Sequence, residues 1–530
     1  MARRRSPLLL TRRITQAAFL LLTVGLILAA RIGPAERMGP ILIPRTSPLL
    51  GIAASVASRS LLAAFWPALI FLLLTPILGR VFCGWVCPLG TTIDATDRAI
   101  SWFRRRCGTG LLPRAPKYLL LVAVLVLALL GVQAAAWLDP TSITVLTFST
   151  FLHPVGVFLF DAGFDALYAT PLRAAAAPVE RFLEQTLFAT STLDAPTFLH
   201  AGQIALILFI VVGLSLRGRR GWCRMLCPLG ALYALAARRP LLRLVITGDC
   251  THCGACAGAC KMAAITPDGQ KIIAGECIRC GLCSAACPVS AVRYEWGRGR
   301  AEAEVPPDVS RRAVLGSVGV GIVALPLLRL ASPAGRQSPH LIRPPGAAPP
   351  REFLQKCIRC GACMKVCPAN AIHPCLGEAG LEGAFTPRVV PRIGNCEYNC
   401  TLCTQICPTG ALALLSEEQK HRFVIGKAVI DRERCIAWSR QRECGVCEEV
   451  CPIPQKAIGL VSHEVQRGGR VEIVQKPVMK PDLCIGCGAC ENKCPVEGAA
   501  AIRVVGASGW KAHGPGGDRP PSQDGGGLAG

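Results

Sequence analysis

Four long apolar stretches, separated by shorter segments rich in arginine, mark the first half of the chain. They cover residues 14–30, 61–78, 118–133 and 203–216. Each approaches the roughly 20 residues that a helix needs to cross the hydrocarbon core of a bilayer. The pattern predicts a membrane domain of four spanning helices over residues 1–245, in which residues 137–202 form a loop.

Positive charge is concentrated on one side of these stretches. Arginine and lysine cluster before the first stretch, between the second and third, and after the fourth, while the other two connections carry fewer. The positive-inside rule therefore places both ends of this domain in the cytoplasm. Much of the net charge of +24 lies in these short connections beside apolar stretches, where it sets the membrane orientation. No nucleic-acid partner is therefore expected. A cleaved signal peptide is the alternative for the first stretch, although no convincing small-residue cleavage site follows it.

The chain contains 30 cysteines, and the spacing of most of them is that of iron–sulfur ligands. In two runs after Asp249 the gaps are two, two and three residues. Three thiolates of such a run hold one cluster and the fourth reaches the neighbouring cluster. Structural zinc and disulfides are the alternatives. Residues 246–300 are thus predicted to hold two [4Fe–4S] clusters, with the ligand sets Cys250, Cys253, Cys256, Cys287 and Cys277, Cys280, Cys283, Cys260.

Four further runs lie in a C-terminal domain over residues 353–506, and proline follows the last cysteine of each. The first gap widens to three and eight residues in the second and third runs, which lengthens a loop without removing a ligand. Four more clusters are predicted, six in all. Consecutive pairing of the runs and nested pairing (first with last, second with third) are both open. The ligands would be Cys357, Cys360, Cys363, Cys367, Cys396, Cys400, Cys403, Cys407, Cys435, Cys444, Cys447, Cys451, Cys484, Cys487, Cys490 and Cys494.

Two similar octapeptides, Cys-Gly-Trp-Val-Cys-Pro-Leu-Gly and Cys-Arg-Met-Leu-Cys-Pro-Leu-Gly, follow the second and fourth apolar stretches. Their spacing places both sulfurs on one face of a helical turn, which proline then tends to end. If internal symmetry relates the two halves, four thiols converge to bind a metal or cluster, or to act as redox thiols. A packing turn with inert cysteines is the alternative. These cysteines are Cys83, Cys87, Cys223 and Cys227, whereas Cys107 and Cys375 have no motif partners.

A second crossing of the membrane is predicted within residues 308–335. Arg311 and Arg312 precede a modest apolar run and resemble a twin-arginine export signal, with Val314 in place of the usual aromatic residue. Such a segment would carry the folded C-terminal domain outward, whereas a short surface helix would leave it in the cytoplasm. Residues 336–352 are predicted to be a Pro-rich linker and residues 507–530 a disordered tail.

The motifs resemble those of two known families. Residues 1–295 are similar to the NapH-type ferredoxin membrane proteins, through the paired Cys-x3-Cys-Pro motifs, the four spans and the two-cluster ferredoxin. Residues 310–505 resemble the NapG/MauM-type periplasmic ferredoxins, with matches at residues 342–347, 353–360, 395–412 and 428–431. The resemblance implies a fused, multi-domain protein. Its α-helical membrane bundle would have four spans plus a fifth, joined to α+β ferredoxin-like iron–sulfur domains.

The resemblance also implies a function at the bacterial inner membrane. The protein would be an electron carrier and quinol dehydrogenase component, passing electrons from the quinone pool to a periplasmic cytochrome or reductase. The MauM side of the family implies instead a maturation factor for a periplasmic metalloenzyme or quinoprotein. A redox sensor that uses the octapeptide thiols is a third hypothesis. If quinol binds, Asp139, His153 and His200 are candidate proton acceptors by position alone, although ordinary loop or interfacial roles are simpler.

Overall fold

The computed structural model describes residues 7–31, 39–107, 112–171, 177–180, 196–297, 309–330, 338, 340–467 and 470–506. The chain divides into two compact units. The first unit consists of Met1–Ala195, Ala201–Pro326 and Gln355–Cys360. The second consists of Pro196–His200, Leu327–Leu354 and Gly361–Gly530.

The described residues of the first unit are mainly helical, with one small sheet. Its α-helices are Pro7–Leu28, Gly39–Arg45, Pro48–Ser58, Trp66–Leu78, Pro88–Cys107, Ala115–Leu129, Ala135–Leu138, Pro140–Thr147, His153–Tyr168, Ala201–Arg217, Gly221–Met225, Pro228–Ala236, Ala255–Ala259 and Leu282–Ala286. Its 3-10 helices are Ala29–Arg31, Ala63–Phe65 and Ala274–Glu276, and its π-helical turns are Phe82–Val86 and Phe148–Leu152. The helix Arg311–Leu330 leads from this unit into the second.

Three helices among the described residues are long and apolar enough to cross a membrane. Their mean hydropathies are 1.3, 1.8 and 1.5 for Pro7–Leu28, Pro140–Tyr168 and Arg311–Arg329. Shorter apolar helices cover Pro48–Ser58, Ala63–Leu78, Ala115–Leu129 and Ala201–Arg217. All four predicted stretches are therefore helical, and so is the predicted fifth segment.

The prediction of a loop over residues 137–202 is wrong for its first part, because Pro140–Tyr168 is a continuous helix of 29 residues. Hydroxyl residues dilute the apolar pattern there, which is why the helix escaped notice. Within the helix they bond to its own carbonyls, since Thr144 Oγ1 donates to the Pro140 carbonyl at 2.7 Å and Thr150 Oγ1 to that of Leu146 at 2.9 Å. Asp139 begins the helix as its N-cap.

The ferredoxin segment of the first unit is closed by two antiparallel strands. Leu242–Ile246 pairs with Val292–Trp296, with Leu244 opposite Tyr294. Both cysteine runs lie between the strands in sequence. A small apolar core forms beneath them from Leu244, Ile265 and Val292, with Cys256 and Cys283. The sheet thus holds the two runs against each other.

The second unit combines short helices with three antiparallel strand pairs. The pairs are Ile372–Pro374 with Pro387–Val389, Gly426–Ile430 with Ile502–Gly506, and Ile458–Arg467 with Arg470–Met479. The helices are Pro350–Lys356 (which runs on into the first unit), Ala362–Val366, Leu402–Gln405, Glu417–Arg422, Ile436–Ser439, Val446–Glu449 and Ala489–Asn492, with a 3-10 turn at Leu381–Gly383. The β-branched residues at 423–430 and 471–474 predict strands, and strands form at Gly426–Ile430 and Arg470–Met479.

The Pro-rich segment predicted as a linker is instead packed into the second unit over its described part. Ile342 is 1% exposed and forms an isolated bridge with Val389. The Arg343 guanidinium donates to Thr386 Oγ1 at 2.9 Å and to the Pro387 carbonyl at 2.7 Å. Proline here fixes an extended backbone along the domain surface. The tail predicted to be disordered, residues 507–530, lies outside the described residues.

Candidate metal centres

Four of the six cysteine runs fold into a repeated loop that depends on glycine. Gly254, Gly281, Gly361 and Gly488 each follow the second cysteine of a run, and their φ angles lie between 68° and 85°. A side chain is disfavoured in this left-handed region, so glycine lets the chain turn there. A helix of four or five residues then begins and presents the third cysteine.

In the first unit the two runs exchange their fourth cysteines. Cys260 from the first run lines a cavity of about 360 Å³ with Cys277, Cys280 and Cys283 from the second. Cys256 of the first run lies within electrostatic reach of Cys250 and of Cys287 from the second run. The fold therefore brings together the whole of the second predicted set, and Cys250, Cys256 and Cys287 of the first.

In the second unit the runs pair consecutively, which resolves the alternative left open by the spacing. The first and second runs share a cavity of about 370 Å³, and the third and fourth share two, of about 370 and 320 Å³. The sets are Cys367 with Cys396, Cys400 and Cys403; Cys494 with Cys435, Cys444 and Cys447; and Cys451 with Cys484, Cys487 and Cys490. The remaining set, Cys357, Cys360, Cys363 and Cys407, has members in both units and stays a prediction.

Backbone amides donate to the sulfurs of the fourth cysteines. The N–H of Ala264 donates to Cys260 at 3.2 Å, and the N–H of Ala291 donates to Cys287 at the same distance. Cys367 and Cys407 accept similar bonds at 3.3 Å from residues four and five positions later. A donor aimed at sulfur stabilises a thiolate, the form in which cysteine binds a metal.

The arrangement fits an iron–sulfur core better than zinc or a disulfide. All the described cysteines are unbridged. Within the described part of the chain, no group of three or more His, Cys, Asp or Glu side chains is close enough to hold a single metal ion. Four thiols spaced around a cavity suit a larger inorganic core that takes one sulfur at each corner.

The four octapeptide cysteines converge as well. They line a fifth cavity of about 380 Å³, called here the tetracysteine cavity, whose cysteines are Cys83, Cys87, Cys223 and Cys227. Arg80 also lines it, three residues before Cys83, and Arg220 occupies the same position before Cys223. The sequence repeat is therefore longer than an octapeptide and begins with arginine. Comparing the residues just before the two octapeptides would have shown this shared arginine in the sequence alone.

Each arginine reaches from its own half of the repeat into the other. Arg220 donates to the Cys83 carbonyl at 2.8 Å and to the Gly90 carbonyl at 3.2 Å. Conversely, Arg80 Nη2 would lie 2.9 Å from a Cβ placed on Gly230. Glycine at the end of each motif thus leaves room for the opposite guanidinium. The two halves interlock through these arginines.

Two buried carboxylates, Asp94 and Glu276, compensate part of the positive charge of Arg80, Arg220 and their neighbouring cations. Asp94 contacts Arg12 at 2.5 Å, Arg220 at 2.9 Å and Lys261 at 2.9 Å. Burial opposes ionisation of Asp94, but the charges of Arg220, Lys261 and Arg12 hold its pKa well below the ordinary range. Lys261, which stands where proline commonly follows a fourth cysteine, is therefore an ion-pair partner.

Glu276 plays the corresponding role beside Arg80. Its carboxylate accepts from Arg80 at 2.9 Å, from Tyr118 at 2.6 Å, and from Lys117. Burial again opposes ionisation, but the charges of Arg80 and Lys117 lower the pKa of Glu276 from 4.5 to about 2. At both carboxylates the neighbouring cations outnumber the negative charge.

Thiol chemistry at the tetracysteine cavity is disfavoured as long as the thiols are free. Burial raises the pKa of Cys87 and of Cys227. A reactive redox thiol needs the opposite, a lowered pKa and an accessible sulfur. These cysteines therefore differ from those expected of a thiol-based sensor.

The three candidate proton acceptors have ordinary structural surroundings. Asp139 is fully buried and accepts bonds from Ser47, Thr141 and Ser142, in part as a helix cap. The His153 ring packs 6.5 Å from that of Phe148. His200 lies in the second unit, 3.9 Å from a Glu378 oxygen. Each position fits the simpler interpretation.

Family models for iron–sulfur proteins match most of the cysteine-containing segments. A 4Fe-4S binding domain matches residues 61–109 and 201–245, the two segments that contain the octapeptides. Another 4Fe-4S binding domain matches residues 247–263. Models of a 4Fe-4S dicluster domain match residues 276–372, and residues 356–411 with 440–498.

Curated relatives match somewhat more than a third of the chain. The methylamine utilization ferredoxin-type proteins MauM of Methylorubrum extorquens and Paracoccus denitrificans are 36% and 37% identical, over 38% and 37% of this chain and 90% and 84% of theirs. The ferredoxin-type protein NapG of Escherichia coli is 34% identical over 37% of this chain and 82% of its own. No solved structure matches. The chain therefore belongs to the family of ferredoxin-type iron–sulfur proteins that includes MauM and NapG.

Proposed function

We propose that the protein is a membrane-bound electron carrier that takes electrons from quinol and delivers them to a redox protein in the periplasm. The observation that carries this proposal is the set of four-cysteine cavities in both units, one in the ferredoxin segment and three in the C-terminal domain. A chain that both lies in the membrane and holds several such centres is suited to moving electrons between a membrane pool and a soluble partner.

The residues around each cavity set the conditions for electron transfer. When bound, each [4Fe–4S] cluster takes up and releases a single electron, at a potential set by burial, hydrogen bonds and charge. Buried apolar side chains such as Ile265, Ile372 and Ile502 exclude water from the cysteines. The amides that donate to cysteine sulfur favour the thiolate form. The six predicted sets of ligands would form a series of centres along the chain.

The proposed arrangement has its N-terminus and ferredoxin segment in the cytoplasm and its four-cluster domain in the periplasm. Charge bias supports the cytoplasmic location of the N-terminus and the ferredoxin segment, because arginine clusters beside that segment. The helix Arg311–Arg329, long and apolar enough to cross a membrane, precedes the four-cluster domain. Pro196–His200 belongs to the same compact unit as that domain, and Asn370 donates to the Thr197 carbonyl at 2.8 Å. This segment comes from a connection poor in positive charge, as expected of a periplasmic loop. The proposal thus combines a NapH-type membrane part with a NapG/MauM-type domain.

Purified protein, kept anaerobic, tests the donor and the direction of flow. Quinol should reduce the clusters and so bleach their visible absorbance. A soluble cytochrome should then reoxidise the clusters and restore that absorbance. Cys490→Ser, which alters a cavity in the second unit, should slow transfer to the cytochrome, whereas Cys375→Ser, at a buried cysteine outside the predicted sets, should not. Bleaching by dithionite but not by quinol, in intact protein, would contradict the proposal.

A second candidate function is maturation of a periplasmic metalloenzyme or quinoprotein. It follows from the resemblance to the MauM-type ferredoxins, of which two matching relatives are named methylamine utilization ferredoxin-type proteins. A deletion strain separates the two functions. If the chain matures a partner, that enzyme should accumulate without its cofactor. If the chain supplies electrons in turnover, the partner should be complete but idle until an artificial donor is added.

A further inference from the structure

We propose that Lys420 raises the reduction potential of the site formed by Cys367, Cys396, Cys400 and Cys403, and so draws electrons to this part of the C-terminal domain. These four cysteines line a cavity of about 370 Å³ in the second unit. Lys420 would be a positioning residue, because it acts on the site through charge and hydrogen bonds. The inference deepens the proposed electron-carrier function and rests on it for the cluster, but not for quinol as the donor.

The helix Glu417–Arg422 buries a charged side chain and no apolar one. All its residues, Glu-Glu-Gln-Lys-His-Arg, are polar, and only Lys420 is buried, with 2% of its surface exposed. Lysine is almost never buried this deeply unless it is paired. A capping box between Ser416 and Gln419 fixes the start of the helix. The helix therefore holds one ammonium group inside the domain at a defined place.

The ammonium group meets the widened first gap of the second cysteine run. Three residues separate Cys396 from Cys400, whereas the first gap is two residues in four of the six runs. Lys420 Nζ donates to the carbonyls of Glu397 and Tyr398, to the latter at 3.1 Å. These carbonyls occupy two of its three N–H groups and carry no net charge. The longer gap thus presents two acceptors to a cation and leaves the positive charge in place.

His421, the next residue of the helix, holds it over the same gap. Its ring stacks on the ring of Tyr398, with centroids 3.9 Å apart and planes inclined by 6°. Its Nε2 atom lies 3.0 Å from Asn399 Oδ1. Both contacts press the helix against the gap, so the place of Lys420 relative to the cysteines is fixed.

The third N–H of Lys420 is available to cysteine sulfur. Lys420 acts on Cys396 through its charge and a hydrogen bond, and on Cys403 through its charge. Burial raises the pKa of Cys396 to about 11, and the Lys420 ammonium opposes this rise. A donor aimed at sulfur and a nearby positive charge favour the same state, the thiolate that binds iron.

The surroundings of the site make this charge effective. Pro345, Ile372, Val389 and Leu402 line the cavity with apolar groups, and Cys403 is 8% exposed. Charges interact more strongly in such a medium than in water. Uptake of an electron adds negative charge at the site, so a fixed positive charge stabilises the reduced state more than the oxidised one. The reduction potential therefore rises.

Lys427 provides a comparison within the same unit. Its Nζ donates to the carbonyls of Pro481 and Cys484, to the latter at 2.7 Å. Lys427 acts on Cys484 by charge, but its side chain is only partly buried, so water screens that charge more than it screens Lys420. Of the two lysines, Lys420 should therefore have the larger effect on a reduction potential.

Redox titration of the full chain, purified without oxygen and followed by EPR, tests the proposal. Lys420→Met removes the charge and keeps the length of the side chain, so one titration step should move to lower potential. Lys420→Arg keeps the charge and should leave that step in place. Arg422→Met removes one positive charge from an exposed position of the same helix and should move no step. Coincident curves for wild type and Lys420→Met, or equal shifts in the methionine and arginine variants, would overturn the proposal.

Iron analysis of each variant separates a change in potential from loss of a cluster. Lys420→Gln keeps a donor for the carbonyls of Glu397 and Tyr398, and it takes the place of the methionine variant if that protein loses iron. Loss of iron in both neutral variants would make Lys420 a structural residue and overturn the proposal.

A ligand variant assigns the step that moves. Cys400→Ser alters the proposed site, and the same step should be missing or displaced in its titration. A step that persists unchanged there would belong to another site and would overturn the assignment to Lys420. Dithionite and redox mediators replace quinol in all these titrations, so the inference and quinol oxidation can fail separately.

Discussion

Asp94 joins three cations that come from distant parts of the first unit. Arg12, Arg220 and Lys261 lie 82, 126 and 167 positions away in sequence. Asp94→Asn would leave these buried cations without their counter-charge, at a cost of about 3–5 kcal/mol in the free energy of unfolding. The melting temperature in detergent should fall clearly. Asp249→Asn, at an exposed position of the same unit, should leave it unchanged, and equal melting temperatures for the two variants would contradict the ion-pair network.

Glu276 allows a prediction about pH. Because its folded pKa is about 2, below the ordinary 4.5, its contribution to stability is present above pH 4.5 and lost only as the pH falls towards 2. Glu276→Gln should therefore destabilise the protein by the same amount throughout the range of about pH 5 to 7. Melting temperatures of both proteins at several pH values check this. A difference in melting temperature that shrinks as the pH falls from about 7 to about 5 would mean that the carboxyl group is protonated more readily than proposed.

At the residue scale, the sequence predicted the cysteines but not the charged groups around them. Cysteine ligands are recognised by local spacing, since one loop must wrap one cluster. In the sequence, Arg12 belongs to a positive flank, and Lys261 stands where proline commonly follows a fourth cysteine. Both meet Asp94 in the fold. Such contacts join residues far apart in sequence and leave no periodic signal, so a single sequence could not have shown them.

The π-helical turn Phe82–Val86 packs directly against the ferredoxin segment, and Gly84 makes this contact feasible. A Cβ at Gly84 would lie 2.2 Å from the Ile278 carbonyl oxygen. Gly84→Ala should therefore push the turn away, at a cost of about 1–3 kcal/mol, and lower the melting temperature. Gly258→Ala is the matched control, because a Cβ there meets nothing within 4 Å. Equal effects of the two changes would show that the contact is not tight.

The strand Ile502–Gly506 closes the C-terminal domain by pairing with Gly426–Ile430. Ile502 lines the cavity of the Cys435 set, and Val504 lines that of the Cys484 set. A chain that ends after Gly506 should keep all its iron, whereas one that ends after Ala501 should lose about eight atoms, the content of two clusters. Iron analysis of both truncated proteins decides this. Full iron content in the shorter chain would mean that the strand is dispensable.

At the element scale, uninterrupted runs of apolar or β-branched residues predicted helices and strands correctly, whereas an apolar run interrupted by polar residues did not. All four apolar stretches are helices, and both segments rich in β-branched residues are strands. Pro140–Tyr168 was missed because hydroxyl residues and an internal proline interrupt its apolar pattern. In the helix those hydroxyls are satisfied by carbonyls one turn earlier, which makes them compatible with an apolar environment.

At the scale of the whole molecule, one arrangement recurs: cysteines from two segments of the chain line the same cavity. Cys260 and Cys287 each meet cysteines of the other ferredoxin run. Three fourth cysteines of the C-terminal runs, Cys367, Cys451 and Cys494, line cavities with the neighbouring run, and the octapeptides share one cavity. Spacing could not decide the C-terminal pairing, because consecutive and nested arrangements supply the same ligands. The strand pair between Gly426–Ile430 and Ile502–Gly506 holds the last two runs together, and this contact forms only in the folded chain.

The proposed transmembrane arrangement depends on the segment that begins at Arg311 and Arg312. A periplasm-specific reporter fused after residue 506 should be active, and a cytoplasm-specific reporter fused after residue 300 should be active as well. Arg311→Lys combined with Arg312→Lys keeps the positive flank but removes the twin arginine. If export of the folded domain requires the arginine pair, this variant should hold the C-terminal reporter inside, whereas a purely electrostatic flank predicts unchanged export. Cytoplasmic activity of the wild-type fusion after residue 506 would exclude the transmembrane arrangement, while the cysteine sets in each unit would stand.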